Sequence, residues 1–454
     1  MKTLTVTLKQ HTPLIHFQHD QYGATLRVSE VKPKLDKFII KKAFNDEWEK
    51  CKEYLVGYKK SQKEDATERR GEEAVLNRAL EQKFEDSKKP FRALNYKINV
   101  EIPNEKREEY LIASFLNKKE DIPSLEKLGI KSISPTPYFA QESENKKIIR
   151  KYVSWGDIKC KGIYWDGDIN LSFYSQHDDL IQYIESHVQA FFLTTNLGTR
   201  QTKGFGSFSV INIDESEDKL ADNEELIKEY FSIRYKKSVK SSSISNKNKQ
   251  LNSIFNTIVQ DWRLIKSGQI VPKRDDLYKK SKLMLFADKN NVGWDKKYIK
   301  GKINNVFKKD DTENYKLLTY HLKNSENDKK YSSYYFFRPL LGFTENYEFL
   351  LYNPPLENRN NKMLVSVKNG EVERYKSPIL FKVIGETIYL LSNDVDSVIY
   401  DKEFKLNVTI NEDKRYNKFK IKESLKTPTR DLFNLKEFID YAMSDNVNLN
   451  YMSF

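Results

Sequence analysis

The chain reads as an α+β protein in two domains. Three observations lead there. Runs of alternating apolar and polar residues, the period of a half-buried strand, recur along its length. Stretches with apolar residues at helical spacing lie between them. An acidic stretch at 214–223 and a Ser-, Lys- and Asn-rich stretch at 236–250 separate two halves of similar style. The expected division is a first domain over 1–213, a linker region over 214–250 and a second domain over 251–454. With 454 residues, each domain can bury a core.

The first strand is the plainest element. Leu4, Val6 and Leu8 alternate with Thr3, Thr5 and Thr7, and Thr12-Pro13 ends or bends the run. A loop with His16, His19, Asp20 and Gly23 follows. A helix is expected from near Ser29 or Lys32, with Pro33 in its first turn and Leu35, Phe38 and Ile39 as its apolar stripe. Residues 44–90 read as a charged helical insertion, and strands are expected near 96–102, 151–155 and 169–173. Ser175 or Asp178 can cap the next helix, where Ile181, Ile184, Val188, Phe191 and Phe192 recur at helical spacing; Gly198 is expected to close it. The following strand, 207–213, turns Phe208, Val210 and Asn212 to one face. In the second half, 251–265 reads as a helix closed by Gly268. Strands are expected at 282–286, 334–337, 378–383 and 387–391, the last two joined at Gly385, with a C-terminal helix over 434–443.

Composition excludes several classes. No apolar run approaches the roughly 20 residues of a membrane helix. The opening MKTLTVTLKQ alternates Thr with Leu or Val, unlike a signal peptide. Two cysteines, Cys51 and Cys160, make no disulfide framework. The expectation is a soluble, cytoplasmic protein in a reducing compartment. Lys and Arg number 78 against 65 Asp and Glu, a net charge of +13, and 13% of residues are aromatic. That balance suits a polyanion such as nucleic acid, and it equally suits a genome rich in A and T.

The sharpest motif is Gly198-Thr-Arg-Gln-Thr-Lys-Gly-Phe-Gly206. Three of the chain's 16 glycines fall in nine residues, with Arg200 and Lys203 between them. Glycine permits positive φ and close backbone approach, and amides beside cations suit phosphates. Phe205 can stack on a base or pack into a core. The loop is neither a Walker nor a Rossmann loop, because it lacks GxxxxGK[ST] and joins a helix to a strand. A plain helix-to-strand connection stands beside the phosphate reading. His16 and His19, with His11 nearby, fit no zinc spacing; one of them can serve as general acid or base in a metal-independent ribonuclease, or His16 can alternate into a polar face while His19 sits in a loop. His177-Asp178-Asp179 reads as a helix start. Trp262 near Arg263 and Lys266, and Trp294 near Lys296 and Lys297, are ingredients of a single-strand track or of a solvated face. No cofactor or metal motif is present.

The loop Leu197–Ser207 resembles the glycine-rich loop of the RAMP superfamily of CRISPR-associated proteins, which also lies between a late helix and strand. The opening strand, Thr12-Pro13-Leu14, Gly23-Ala-Thr-Leu-Arg27 and the Lys-rich helix are similar to that family's first elements. Arg338-Pro-Leu-Leu-Gly342 and Lys376-Ser-Pro-Ile-Leu-Phe-Lys382 resemble segments of the subunit with two RAMP domains in the Cmr, or type III-B, effector complex. The resemblance implies two ferredoxin-like (RAMP/RRM-type) domains with helical insertions. It implies an RNA-binding subunit that holds guide or target RNA beside other effector subunits in antiviral defence. It assigns RNA contact to Gly198, Arg200, Lys203, Gly204, Phe205 and Gly206, with Arg27, Lys32 and Lys34 joining them. Two alternatives stay open: a guide-processing endoribonuclease using His16 or His19, and a basic interaction scaffold.

Overall fold

The structure, a computed structural model, describes residues 2–15, 26–59, 67–86, 91–102, 108–112, 131–133, 161–239, 247–271, 274–307, 331–350, 362–411, 420–444 and 449–454. The expected strand at 151–155 and the residues His16, His19 and Cys160 lie outside them. The chain divides into two compact units. The first comprises Met1–Tyr230, Ser238–Asn256 and Phe381–Tyr389; the second comprises Phe231–Lys237, Thr257–Leu380 and Leu390–Phe454.

In the first unit, β1 (Lys2–Gln10) leads to α1 (Val28–Ala43), then to α2 (Thr67–Glu85) within the charged insertion. β2 (Lys97–Glu101), β3 (Asp168–Ser175), α3 (Asp178–Thr194) and β4 (Phe208–Ile213) follow. The sheet order is β2-β3-β1-β4, and each neighbouring pair is antiparallel. Leu4, Val6 and Leu8 of β1 share one core with Val31, Leu35 and Ile39 of α1 and Ile181, Ile184 and Val188 of α3. The amphipathic periods thus meet as expected, one strand face against two helix stripes. The insertion is anchored to this core: Leu80 and Phe84 of α2 are buried, with the Phe84 ring 5.6 Å from Trp48.

Three local expectations change. α1 begins at Val28, so Pro33 sits inside it rather than in the first turn. The Arg27 carbonyl already accepts the Glu30 and Val31 N–H groups, which starts the helix early. Asn212 lies opposite Thr7, half-buried and off the face of Leu4, Val6 and Leu8, because β1 and β4 shift register between Thr7 and Leu8, and Ile213 takes the place opposite Val6. α3 ends at Thr194, and Thr195 is extended, so Gly198 is not its closing residue.

The helix α4 (Lys247–Trp262) begins in the first unit, where Phe255 stacks on Phe205. That unit also receives Phe381–Tyr389 from a hairpin of strands Leu380–Ile384 and Thr387–Ser392, turned at Gly385 with φ +58°.

In the second unit the segment expected as a strand at 282–286 is the helix α5 (Lys282–Lys289). Leu283, Met284, Phe286 and Ala287 are all buried, a helical spacing, and the Ser281 hydroxyl caps the helix by accepting the Met284 N–H at 3.2 Å. α6 (Asp295–Phe307) follows. Only Tyr334–Tyr335 of the expected 334–337 strand is extended; Arg338–Leu341 then forms a 3-10 turn. The four-stranded sheet β5 (Asn346–Leu350), β6 (Lys362–Lys368), β7 (Glu403–Asn411), β8 (Lys420–Lys426) is antiparallel and runs in chain order, unlike the interleaved sheet of the first unit. α7 (Leu435–Ser444) matches the expected C-terminal helix.

Candidate nucleic-acid interface

The glycine loop is held on three sides within the first unit. Toward β1, Thr12 Oγ1 donates to the Gly204 carbonyl at 2.6 Å and accepts the Ser207 N–H at 2.9 Å. The Gly206 N–H donates to Pro13 O and the Thr199 N–H to Ile15 O. Toward α1, the Gly198 N–H donates to the Glu30 carboxylate, which also pairs with Lys34 at 2.8 Å. Toward the hairpin, the Phe381 N–H donates to Thr202 O, and Asn196 Nδ2 reaches both Gln201 O and Phe381 O.

The glycines answer to packing. Gly206 has φ +63°, and a Cβ there would lie 1.9 Å from the Leu197 carbonyl oxygen. That oxygen accepts no slack, because the Leu197 N–H donates back to Gly206 O. Only glycine fits. The amides of Gly198, Gly204 and Gly206 donate within the chain, so the expected cradle of glycine amides for phosphates is not what these groups form.

The expected contact residues separate into two sets. Phe205 takes the core role: it is fully buried, its ring 4.1 Å from that of Phe255, and it presents no face to a base. Lys203 joins a backbone bridge to Phe381, and its ammonium is shielded from solvent over the Phe381 ring, 6.0 Å from the centroid. Lys32 is drawn inward too, donating to Asp36 and the Leu94 carbonyl at 2.8 Å each while lying 4.0 Å over Tyr96. Burial pushes the Asp36 carboxyl up and the Lys32 charge pulls it back, the mark of a structural pair. The half-buried set is Arg27 and Lys34 at the start of α1 with Gly198 and Arg200 on the loop, and Glu30 joins Lys34 to the Gly198 N–H. Arg200 has φ +59°, in the left-handed region, at the head of a turn in which the Lys203 N–H donates to its carbonyl. A non-glycine residue in that region marks a tightly determined turn.

The sequence missed two elements of this site. Lys382 is fully buried, and its ammonium reaches Phe192 O at 2.6 Å, Phe208 O at 2.8 Å, and Thr195 O and Asn196 Oδ1 at 3.3 Å. His11 is buried with Nδ1 accepting the Gly385 N–H at 3.1 Å, so Nε2 carries the proton donated to Ser209 Oγ at 2.8 Å. Lysine alternating into a strand face gives no local sign of such burial. In the second unit, Trp294 is buried, with Lys280 and Lys297 each 5.6 Å from its ring, so it does not present a stacking face. Among the described residues no group of three or more His, Cys, Asp or Glu can hold a metal ion, and no helix is long and apolar enough to cross a membrane.

Fold and site define a two-unit α+β protein whose first unit carries a clamped glycine-rich loop between helix and strand. The family model of the Cmr1 N-terminal domain matches residues 1–269, and that of the Cmr1 C-terminal domain matches 278–453. The chain belongs to the Cmr1 family. Solved structures similar to it include apo Cmr1 from Pyrococcus furiosus, at 12% identity over 98% of this chain and 97% of that one, with a TM-score of 0.27. A chain of a type III-B Cmr-beta complex bound to cognate target RNA and AMPPnP in the presence of ssDNA is 16% identical over 62% of this chain and 67% of that one, with a TM-score of 0.23. None of the curated proteins compared with it matches.

Proposed function

We propose that this chain is an RNA-binding subunit of a type III-B CRISPR effector complex, holding guide or target RNA beside other Cmr subunits in cytoplasmic antiviral defence. Family membership supports the assembly. The first unit supports the RAMP reading: β1-α1-β2-β3-α3-β4 with sheet order β2-β3-β1-β4 is the order of a ferredoxin-like domain. The observation that carries RNA contact is Arg200, a half-buried cation fixed at positive φ on a loop tied down from three sides. A backbone held this tightly loses little freedom when its arginine meets a phosphate, and a guanidinium forks onto two phosphate oxygens.

The test is anisotropy of a labelled single-stranded RNA against salt. Arg200→Ala is expected to weaken binding about tenfold and to lower the log–log salt slope by about one phosphate. Lys203→Ala is expected to leave the slope unchanged, because its ammonium faces inward. An unchanged slope in Arg200→Ala removes the loop from the RNA interface.

A further inference from the structure

The loop that carries Arg200 is completed by residues from about 180 positions further along the chain. Phe381–Tyr389 belong to the first unit. Beyond the Phe381 and Asn196 bonds above, Ser207 Oγ donates to Val383 O at 2.6 Å and the Gly385 N–H donates to His11. The hairpin lies within the stretch matched by the Cmr1 C-terminal domain model, and the loop lies within that of the N-terminal one.

Lys382 is the centre of this arrangement. Burying an ammonium is costly unless oxygens replace its water, and here four do. Phe192 O is one of the last carbonyls of α3, left without an intrahelical partner, and Thr195 O follows it. No glycine closes this helix end, and the partial negative charge there suits a cation. Thr195 and Asn196 are the first residues on the path from α3 to the loop. Phe208 O, on the far side, begins β4. One ammonium therefore joins both ends of the segment that contains Arg200.

Resting on the RNA-binding reading of Arg200, we infer that Lys382 is the positioning residue of the glycine loop: its ammonium ties the end of α3 to the start of β4 and so fixes where Arg200 points. The N-terminal family segment does not make its RNA contact without the C-terminal one.

The test is Lys382→Met in the full chain, with two readouts. Hydrogen exchange is expected to speed up at the bonded amides of Thr199, Gly204 and Gly206 while the β1–β3 ladder keeps its protection. Unchanged loop exchange, or loosening spread evenly over the first unit, overturns the inference. In RNA binding, Arg200→Ala is expected to cost about tenfold in the native background and almost nothing in the Lys382→Met background. Equal losses in both backgrounds overturn it. If the native chain binds no RNA, the functional reading fails and exchange alone judges Lys382. If Lys382→Met does not fold, Asn196→Ala, which removes one acceptor and the bonds to Gln201 O and Phe381 O, takes its place under the same criteria.

Discussion

Each unit closes a helical end with a distant lysine, and the two do so differently. In the first unit Lys382 meets only backbone and amide oxygens, and burial alone lowers its pKa. In the second unit Lys266 donates to Leu341 O at 3.2 Å and Gly342 O at 2.6 Å, closing the turn Arg338–Leu341. Its pKa falls to about 7, first through burial and then through the Arg338 charge, with Asp295 pulling back. Arg338 in turn pairs with buried Asp295 at 3.2 Å. The first clamp rests on dipoles and the second on dipoles plus an ion pair. A dipole clamp loses hydrogen bonds when broken, whereas an ion pair broken on one side leaves a charge stranded in the core.

That difference predicts the largest effect. Arg338→Met leaves the Asp295 carboxylate without its main partner, and a loss of about 3–5 kcal/mol is expected, read as a lower urea midpoint. A loss no greater than about 1 kcal/mol breaks the comparison, because the pair then adds little to the clamp.

The glycines at the two ends sharpen it next. A Cβ on Gly206 meets a backbone oxygen at 1.9 Å, and a hydrogen-bonded backbone cannot retreat; Gly206→Ala is expected to cost about 3 kcal/mol or more. Gly342 has φ +105°, but its Cβ would meet Ser377 atoms no closer than 3.2 Å. Gly342→Ala is expected to cost about 1–2 kcal/mol, mostly backbone strain. Equal costs in the same urea assay would mean that the first loop relaxes as easily as the second.

The parts of this design legible in the sequence are those written in local periodicity. Leu4, Val6 and Leu8, or Ile181, Ile184 and Val188, announce their buried faces because strand and helix spacing map directly onto a surface. The glycine loop announced itself by composition. Its reading as an amide cradle failed because the same conformational freedom serves packing, and only the positions of Leu197 O and Pro13 O decide between the two. Phe205 had two roles open, and Phe255, fifty residues away, selects the core. The strand expected at 282–286 failed through an ambiguous apolar run, resolved by the cap at Ser281. Lys382 and His11 were illegible for a deeper reason: their partners lie more than 170 residues away, and no local pattern encodes a long-range hydrogen bond.

The last effect, read per unit of pH, ties His11 to the first clamp. Burial, then the charges of Lys382, Lys247 and Lys9, lower its pKa from 6.5 to about 3. The ring is neutral, and Nδ1 accepts from Gly385, so a second proton would replace that hydrogen bond with two facing N–H groups. The unfolded chain takes up a proton near pH 6.5 while the native chain waits until about pH 3. Between those values the unfolded state binds more protons, so the stability from His11 is complete above pH 6.5 and drains as pH falls. Each pH unit costs about 1.4 kcal/mol, or about 2 kcal/mol between pH 6.5 and pH 5. Urea midpoints at pH 7, 6 and 5 are expected to show this slope, and His11→Gln is expected to flatten it by one proton. An identical slope in His11→Gln would show that the imidazole is not held neutral. In Lys382→Met the slope is expected to shrink, since removing the charge that acts most strongly on His11 lets it titrate closer to its ordinary value, and the dipole clamp is then seen to help set the charge state of the ring.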